Sequence, residues 1–194
     1  MKNGRPIRLA LVDNDRCSAE MMALLIGRMI PEAHMLWVTD NPSLALERCL
    51  FDPRKPDILI CDLMMDGLNG VRLTERIRQR NVQVGVIVVT SYDLATYGED
   101  IACCGAQALI SKRDFAATIR EAVKSVSDGG TYPHGWGLHS LEETLHTVDA
   151  AQPEADGARL FSDRELAVLR LYAHHVPTVE IARRLGIGVE TVYS

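Results

Sequence analysis

Asp57-Ile58-Leu59-Ile60-Cys61-Asp62-Leu63-Met64-Met65-Asp66-Gly67-Leu68-Asn69-Gly70 decides how the chain is read. Its first half is apolar without alternation, the pattern of a parallel strand covered on both faces. Asp62 ends that run and a glycine-punctuated loop follows. Its carboxylate is thereby lifted onto the rim of a sheet, where ligands of open α/β folds bind. Outward from this stretch, Ile7–Val12 ends the same way in Asp13-Asn14-Asp15. Val84–Thr90 closes on Thr90-Ser91, and Gln107–Ile110 leads through Ser111 to Lys112. Four strand ends bring two acids, a hydroxyl and an ammonium to one edge.

A fifth apolar run, His34–Thr39, lies between the first and third strands, and stretches with helical spacing separate them all. The last of these places Phe115, Ile119, Ala122, Val123 and Val126 on one stripe. Five βα units over residues 1–127 predict a doubly wound, five-stranded parallel sheet of α/β class. Residues 128–160 change character, with one arginine against six acids. They read as an acidic linker, with a possible helix from Leu138 to Val148. Order returns at Phe161, where Ser162 and Glu165 have capping-box spacing. A helix through Tyr172, another from Val179 to Leu185 closed by Gly186, and an opening helix from Val189 outline a small all-α helix-turn-helix domain over residues 161–194.

The chain of 194 residues carries a net charge of −5, all of its excess in the middle segment. No basic patch announces nucleic acid. No apolar stretch approaches the roughly 18 residues of a membrane span, and the N-terminus does not read as a signal peptide, so a cytoplasmic protein without a membrane partner is expected. Five cysteines without a C-x-x-C pair read as reduced, buried thiols.

The strand-end residues suit phosphoryl transfer to an aspartate. Two like charges about 4 Å apart repel by roughly 4 kcal/mol at an effective dielectric of about 20. A divalent cation held by further carboxylates offsets this repulsion between nucleophile and donor. A lysine balances another phosphoryl oxygen and a hydroxyl donates to a third. Asp62 as nucleophile, Asp13 and its neighbours as metal site, Lys112 as counter-cation and Thr90 as donor meet these needs.

At these residues the chain resembles the receiver domain of bacterial two-component response regulators. Residues 161 to 192 resemble the LuxR-type helix-turn-helix, giving the NarL/FixJ architecture. The resemblance implies a flavodoxin-like receiver phosphorylated on Asp62 by a sensor histidine kinase. It implies Mg²⁺ (or Mn²⁺) held by Asp13, Asn14, Asp62 and the Met64 carbonyl, with Asp15 as a further candidate. Thr90 and position 109 would act as the switch, and a homodimer would form on phosphorylation. Such a protein is a phosphoacceptor that takes part in its own phosphotransfer and dephosphorylation, and is no enzyme of another kind. The helix-turn-helix implies DNA contacts from Thr178, Val189, Glu190, Thr191, Tyr193 and Ser194.

Four departures qualify these expectations. Asn14 replaces a second adjacent acid, so one metal ligand lacks charge. Leu109 stands where an aromatic switch is expected, and Asp66 where a proline is common. The helix after Gly188 is cut to about one and a half turns, so the 194 residues read as truncated in the recognition helix. Two rivals follow: a receiver acting as a phosphorylation-independent interaction module, and a haloacid dehalogenase-type phosphatase using Asp13 in the D-x-D sequence.

Overall fold

The computed structural model describes residues 5–80, 83–151, 163–174, 176–189 and 192. Strands β1 (Ile7–Val12), β2 (Ala33–Thr39), β3 (Ile58–Asp62), β4 (Gly85–Thr90) and β5 (Ala108–Ser111) form one parallel sheet in the order β2-β1-β3-β4-β5. Each lies within a residue of its expected position. The strand order reverses between β1 and β3, and ligands of doubly wound sheets bind at such a switch point.

Helices cover both faces. On one side lie α1 (Arg16–Met29) and α5 (Phe115–Ser127), which share a core with Leu9, Leu11, Ile58, Ile60, Ile87 and Val89. The five stripe residues of α5 are all buried there. Each fully buried apolar side chain of this kind contributes about 1.5–3 kcal/mol. The other face carries α2 (Pro42–Phe51), α3 (Gly70–Arg78) and α4 (Leu94–Cys103). The helix starts are chemically explicit. Asp15, Asn41, Asn69 and Asp93 accept from the first-turn amides of α1, α2, α3 and α4.

Three elements follow: α6 (Leu141–Ala151), α7 (Asp163–Ala173) and α8 (Thr178–Leu185). The helix expected over 138–148 therefore begins three residues later. The reason is a capping box: Ser140 Oγ accepts from the Glu143 amide, and Glu143 accepts from the Ser140 amide. Gly186 closes α8 in the left-handed region, with φ 60°. The Ser162–Glu165 box and residues 152–160 lie outside the described residues or side chains.

The C-terminal helices rest on the sheet domain. α7 packs against α2, and Leu169 joins the cluster that holds Leu46, Leu73 and Met65. Asn41 Nδ2 donates to the Tyr172 carbonyl at 2.8 Å. Among the cysteines, Cys49, Cys61 and Cys104 are buried, whereas Cys17 and Cys103 are exposed, against the expectation of burial. Among the described residues, no helix is long and apolar enough to cross a membrane.

Candidate functional site

Asp13, Asp62, Thr90 and Lys112 come together at the carboxyl ends of β1, β3, β4 and β5. Hydrogen bonds along β3 hold Asp62 rigidly, with its neighbours in register against Gly85–Val89 of β4. Lys112 follows β5 in a short 3₁₀ turn, and its stem reaches back across the sheet edge. Its Nζ donates to Asp13 Oδ2 at 2.6 Å and lies 2.9 Å from Asp62 Oδ1. One ammonium thus bridges two carboxylates.

The two acids are not equivalent. Asp13 is fully buried (0 % exposed) and its oxygens are engaged. Oδ1 accepts from the Asp15 amide at 2.9 Å, and Oδ2 accepts from Ser18 Oγ at 2.8 Å as well as from Lys112. Asp62 keeps 5 % exposure at the rim. Burial pushes its carboxyl above the ordinary range, the bonds to Lys112 pull it back in part, and the charge of Asp13 adds to the rise. Burial also pulls the Lys112 ammonium down, but its bonds to Asp13 and Asp62 outweigh that and hold it above the usual lysine value.

Thr90 is fully buried, and its Oγ1 accepts from the Tyr92 amide at 3.0 Å. Leu109 is packed inward at 1 % exposure, among Val86, Val88 and Ile101. Asn14 sits exposed on the rim, and so does Met64. Asp15 caps α1, its Oδ1 accepting from the Cys17 and Ser18 amides.

The donor set suits a small, hard cation. Two carboxylates and a backbone carbonyl are the few protein ligands that Mg²⁺ takes when water and phosphate complete its shell. No cluster of three or more acids, histidines or cysteines able to hold a metal occurs among the described residues. A carboxylate pair sharing a single ammonium leaves the site short of positive charge, which a divalent ion would supply.

Two residues here were missed in the sequence. Ser18 lies one turn into α1 and fixes Asp13, as its position five residues on already allowed. Gly70, quoted only as part of the loop, approaches the Asp62 backbone so closely that a Cβ would lie 2.5 Å from the Asp62 carbonyl oxygen. Its amide donates to the Leu63 carbonyl at 2.9 Å, drawing the loop shut behind Asp62.

Of the residues expected at DNA, Thr178 Oγ1 lies 2.8 Å from Tyr172 Oη, joining α8 to α7. Val189 is exposed at the start of the next helical segment. Glu190, Thr191, Tyr193 and Ser194 lie outside the described residues. α8 also carries exposed Arg183 and Arg184, both bonded to Glu180, whose carboxyl they hold down at about 2.

Comparison with known proteins agrees with this fold. Residues 9–124 match the model of the response regulator receiver domain. The chain is 29 % identical to the transcriptional regulatory protein DegU of Brevibacillus brevis, over 98 % of its own length and 84 % of that protein. It is 26 % identical to the nitrate/nitrite response regulator protein NarL of Escherichia coli, over 99 % and 87 % respectively. Among solved structures, the RcsB response regulator of Salmonella typhimurium superposes with a TM-score of 0.60 at 17 % identity, covering 97 % of this chain and 87 % of that one.

Proposed function

The chain belongs to the NarL/FixJ family of two-component response regulators, in which a receiver controls DNA binding, and from that premise we propose that Asp62 is its phosphoacceptor. The observation that carries the reading is the Lys112 ammonium, 2.9 Å from Asp62 and 2.6 Å from Asp13 at the switch point of the sheet. Residues 1–127 act as the receiver, 128–160 as the connection and 161–194 as the helix-turn-helix part.

An Asp62 carboxylate oxygen attacks phosphorus of a phosphohistidine on a sensor kinase. The P–N bond breaks and the imidazole leaves. Lys112 turns from the carboxylates to a phosphoryl oxygen, and the Thr90 hydroxyl donates to another. Asp13, Asp62 and the Met64 carbonyl would hold a divalent cation, Mg²⁺ or Mn²⁺, which would supply positive charge against the nucleophile and the phosphoryl oxygens. Asn14 is adjacent and supplies at most a neutral oxygen.

Output runs through the loop after Asp62. Met65 and Leu68 from this loop share a cluster with Leu166 and Leu169 of α7. Rearrangement of the loop on phosphorylation loosens α7 from α2, which frees the helix-turn-helix for DNA and for pairing with a second copy. This is a population shift with phosphate as the differential ligand. One solved structural relative is an RcsB–DNA complex, 16 % identical with a TM-score of 0.60. DNA as partner here is inferred from family membership and from Arg183, Arg184 and Val189 on the exposed side of α8 and its successor.

The test is acetyl phosphate with Mg²⁺, followed by borohydride reduction and mapping of the labelled residue. Label on Asp62, lost in Asp62→Asn, is the expected result. Label on Asp13 instead would make the chain a phosphatase-like protein. No label at millimolar Mg²⁺ would make it a phosphorylation-independent module.

A further inference from the structure

The segment that leaves α5 is not a free tether. Tyr132 pairs with the outer edge of β5: its amide donates to the Gln107 carbonyl at 3.0 Å, and its carbonyl accepts from the Leu109 amide at 3.0 Å. Ser125 Oγ anchors the same turn on the Thr131 carbonyl at 2.8 Å. Four residues on, the Trp136 ring lies against Gly98 of α4, where a Cβ would stand 3.2 Å from two ring carbons. Glycine weakens a helix interior, and here it makes room for an aromatic ring. Leu138 then packs on the cluster of Val86, Val88, Ile101 and Leu109. The Thr144 methyl closes over Gly105, which has φ +84°.

These contacts end at the phosphoacceptor site. Thr90 Oγ1 holds the Tyr92 amide, Asp93 caps α4, and Leu94 and Tyr97 join the cluster that contains Leu109 and Leu138. A Thr90 rotation that carried Oγ1 over to Asp62 would withdraw it from Tyr92 and remove support from the approach to α4. Trp136 rides on that same helix, at Gly98.

We infer that residues 131–144 form a strap over α4 and the β5 edge, docked while Thr90 holds Tyr92 and loosened when a phosphoryl group on Asp62 recruits the Thr90 hydroxyl. The inference rests on the phosphoacceptor reading of Asp62. The strap runs directly into α6 and onward to the C-terminal helices. Its release lengthens their tether at the moment α7 leaves α2. Linkage makes the coupling reciprocal: whatever opens the strap favours the phosphorylated state.

The full chain carries two tryptophans, so a Trp37→Phe background leaves Trp136 as sole reporter. Emission of Trp136 and amide exchange at Tyr132 and Leu109 are followed before and after acetyl phosphate with Mg²⁺, with borohydride mapping of Asp62 on the same sample. Phosphorylation is expected to expose Trp136 to quencher and to speed exchange at both amides about tenfold. Gly98→Leu displaces the ring while favouring the helix, and Trp136→Ala opens the strap without touching α4. Both are expected to show the fast exchange without acetyl phosphate and to raise the labelled fraction of Asp62 about two- to fivefold at limiting donor. Label on Asp62 with unchanged exchange and emission would overturn the strap and leave the phosphoacceptor reading standing. So would wild-type exchange in both variants. Absence of label on Asp62 would overturn both.

Discussion

Lys112→Met keeps the length of the side chain and removes the charge that two carboxylates share. In the wild type that ammonium sits 2.6 Å from Asp13, which is fully buried, and 2.9 Å from Asp62. At about 3 Å and an effective dielectric of about 20, each attraction is worth roughly 5 kcal/mol before desolvation. The measurable cost is smaller, because breaking a buried pair leaves a penalty of about 3–5 kcal/mol. The Lys112 side chain retains 20 % exposure, which places the expected loss near the lower end, about 3 kcal/mol. The pH dependence follows from the sign of each shift. Asp62 titrates above its unfolded value, so the stability of its protonated form is full below about pH 4 and is lost as pH rises through the folded value. Lys112, raised by its partners, contributes stability below about pH 10.4 that is lost as pH rises through its folded value. Without Lys112 the Asp62 carboxyl rises further and takes up a proton more readily. The penalty measured by urea unfolding therefore shrinks from about pH 8 to about pH 5, and Mg²⁺ stabilises the variant more than the wild type. A penalty under about 0.5 kcal/mol, or one that does not change with pH, would refute the bridging role of Lys112.

Gly70→Ala forces a methyl against the Asp62 carbonyl, at 2.5 Å with backbone on the other side, and is expected to destabilise by about 1–3 kcal/mol in urea unfolding and to slow labelling of Asp62. Asn14→Asp adds a carboxylate at the exposed rim; titration should find Mg²⁺ bound about tenfold more tightly, since affinity in such sites follows ligand charge. Asp57→Asn removes bonds from Arg8, which hold the Asp57 carboxyl below its usual value against the opposing effect of burial. The cost, about 1 kcal/mol at neutral pH for so exposed a pair, is full above about pH 4 and disappears as pH falls through the lowered value. Leu169→Ala empties the seat of α7 on the receiver cluster and should raise protease cleavage between α6 and α7 without lowering Asp62 labelling.

The receiver was legible because each of its signals is local. An unbroken apolar run names a buried parallel strand, and the residue at its end must face the sheet rim. The α5 stripe is a period-3.6 pattern that only one face can bury. Asp62, Asp13, Thr90 and Lys112 were recoverable for that reason, however far apart they lie along the chain. What escaped the sequence has no period. The close approach of Gly70 to Asp62 depends on the path of a loop. The role of Asp15 was ambiguous because one carboxylate can cap α1 through one oxygen and face a metal through the other, and the cap is made here by Oδ1 with two amides. Ser140 and Glu143 did carry a signal, since capping-box spacing places the α6 start at Leu141. The strap is invisible to periodicity, because one paired residue, Tyr132, and one ring, Trp136, form no repeat.

Leu109 ties these features into a single physical problem. A buried leucine at 1 % exposure, with its backbone amide bound to Tyr132, cannot report the state of Thr90 by swinging a ring into solvent. Its volume is already filled on the α4 side, and close-packed interiors pass displacement on to their neighbours. Movement of Thr90 must therefore emerge where packing is thinnest. The cluster around Leu109 has such a boundary at Leu138, and Trp136, two residues earlier and 38 % exposed, lies against Gly98 of α4. The loop after Asp62 has another at Leu68 and Leu166, both only partly buried. At each boundary the covering residue, Leu138 or Leu166, belongs to the part of the chain that follows the receiver. A receiver that lacks the aromatic switch can thus use its own downstream segment as the moving part, and the glycine at position 98 is the feature that lets it seat there.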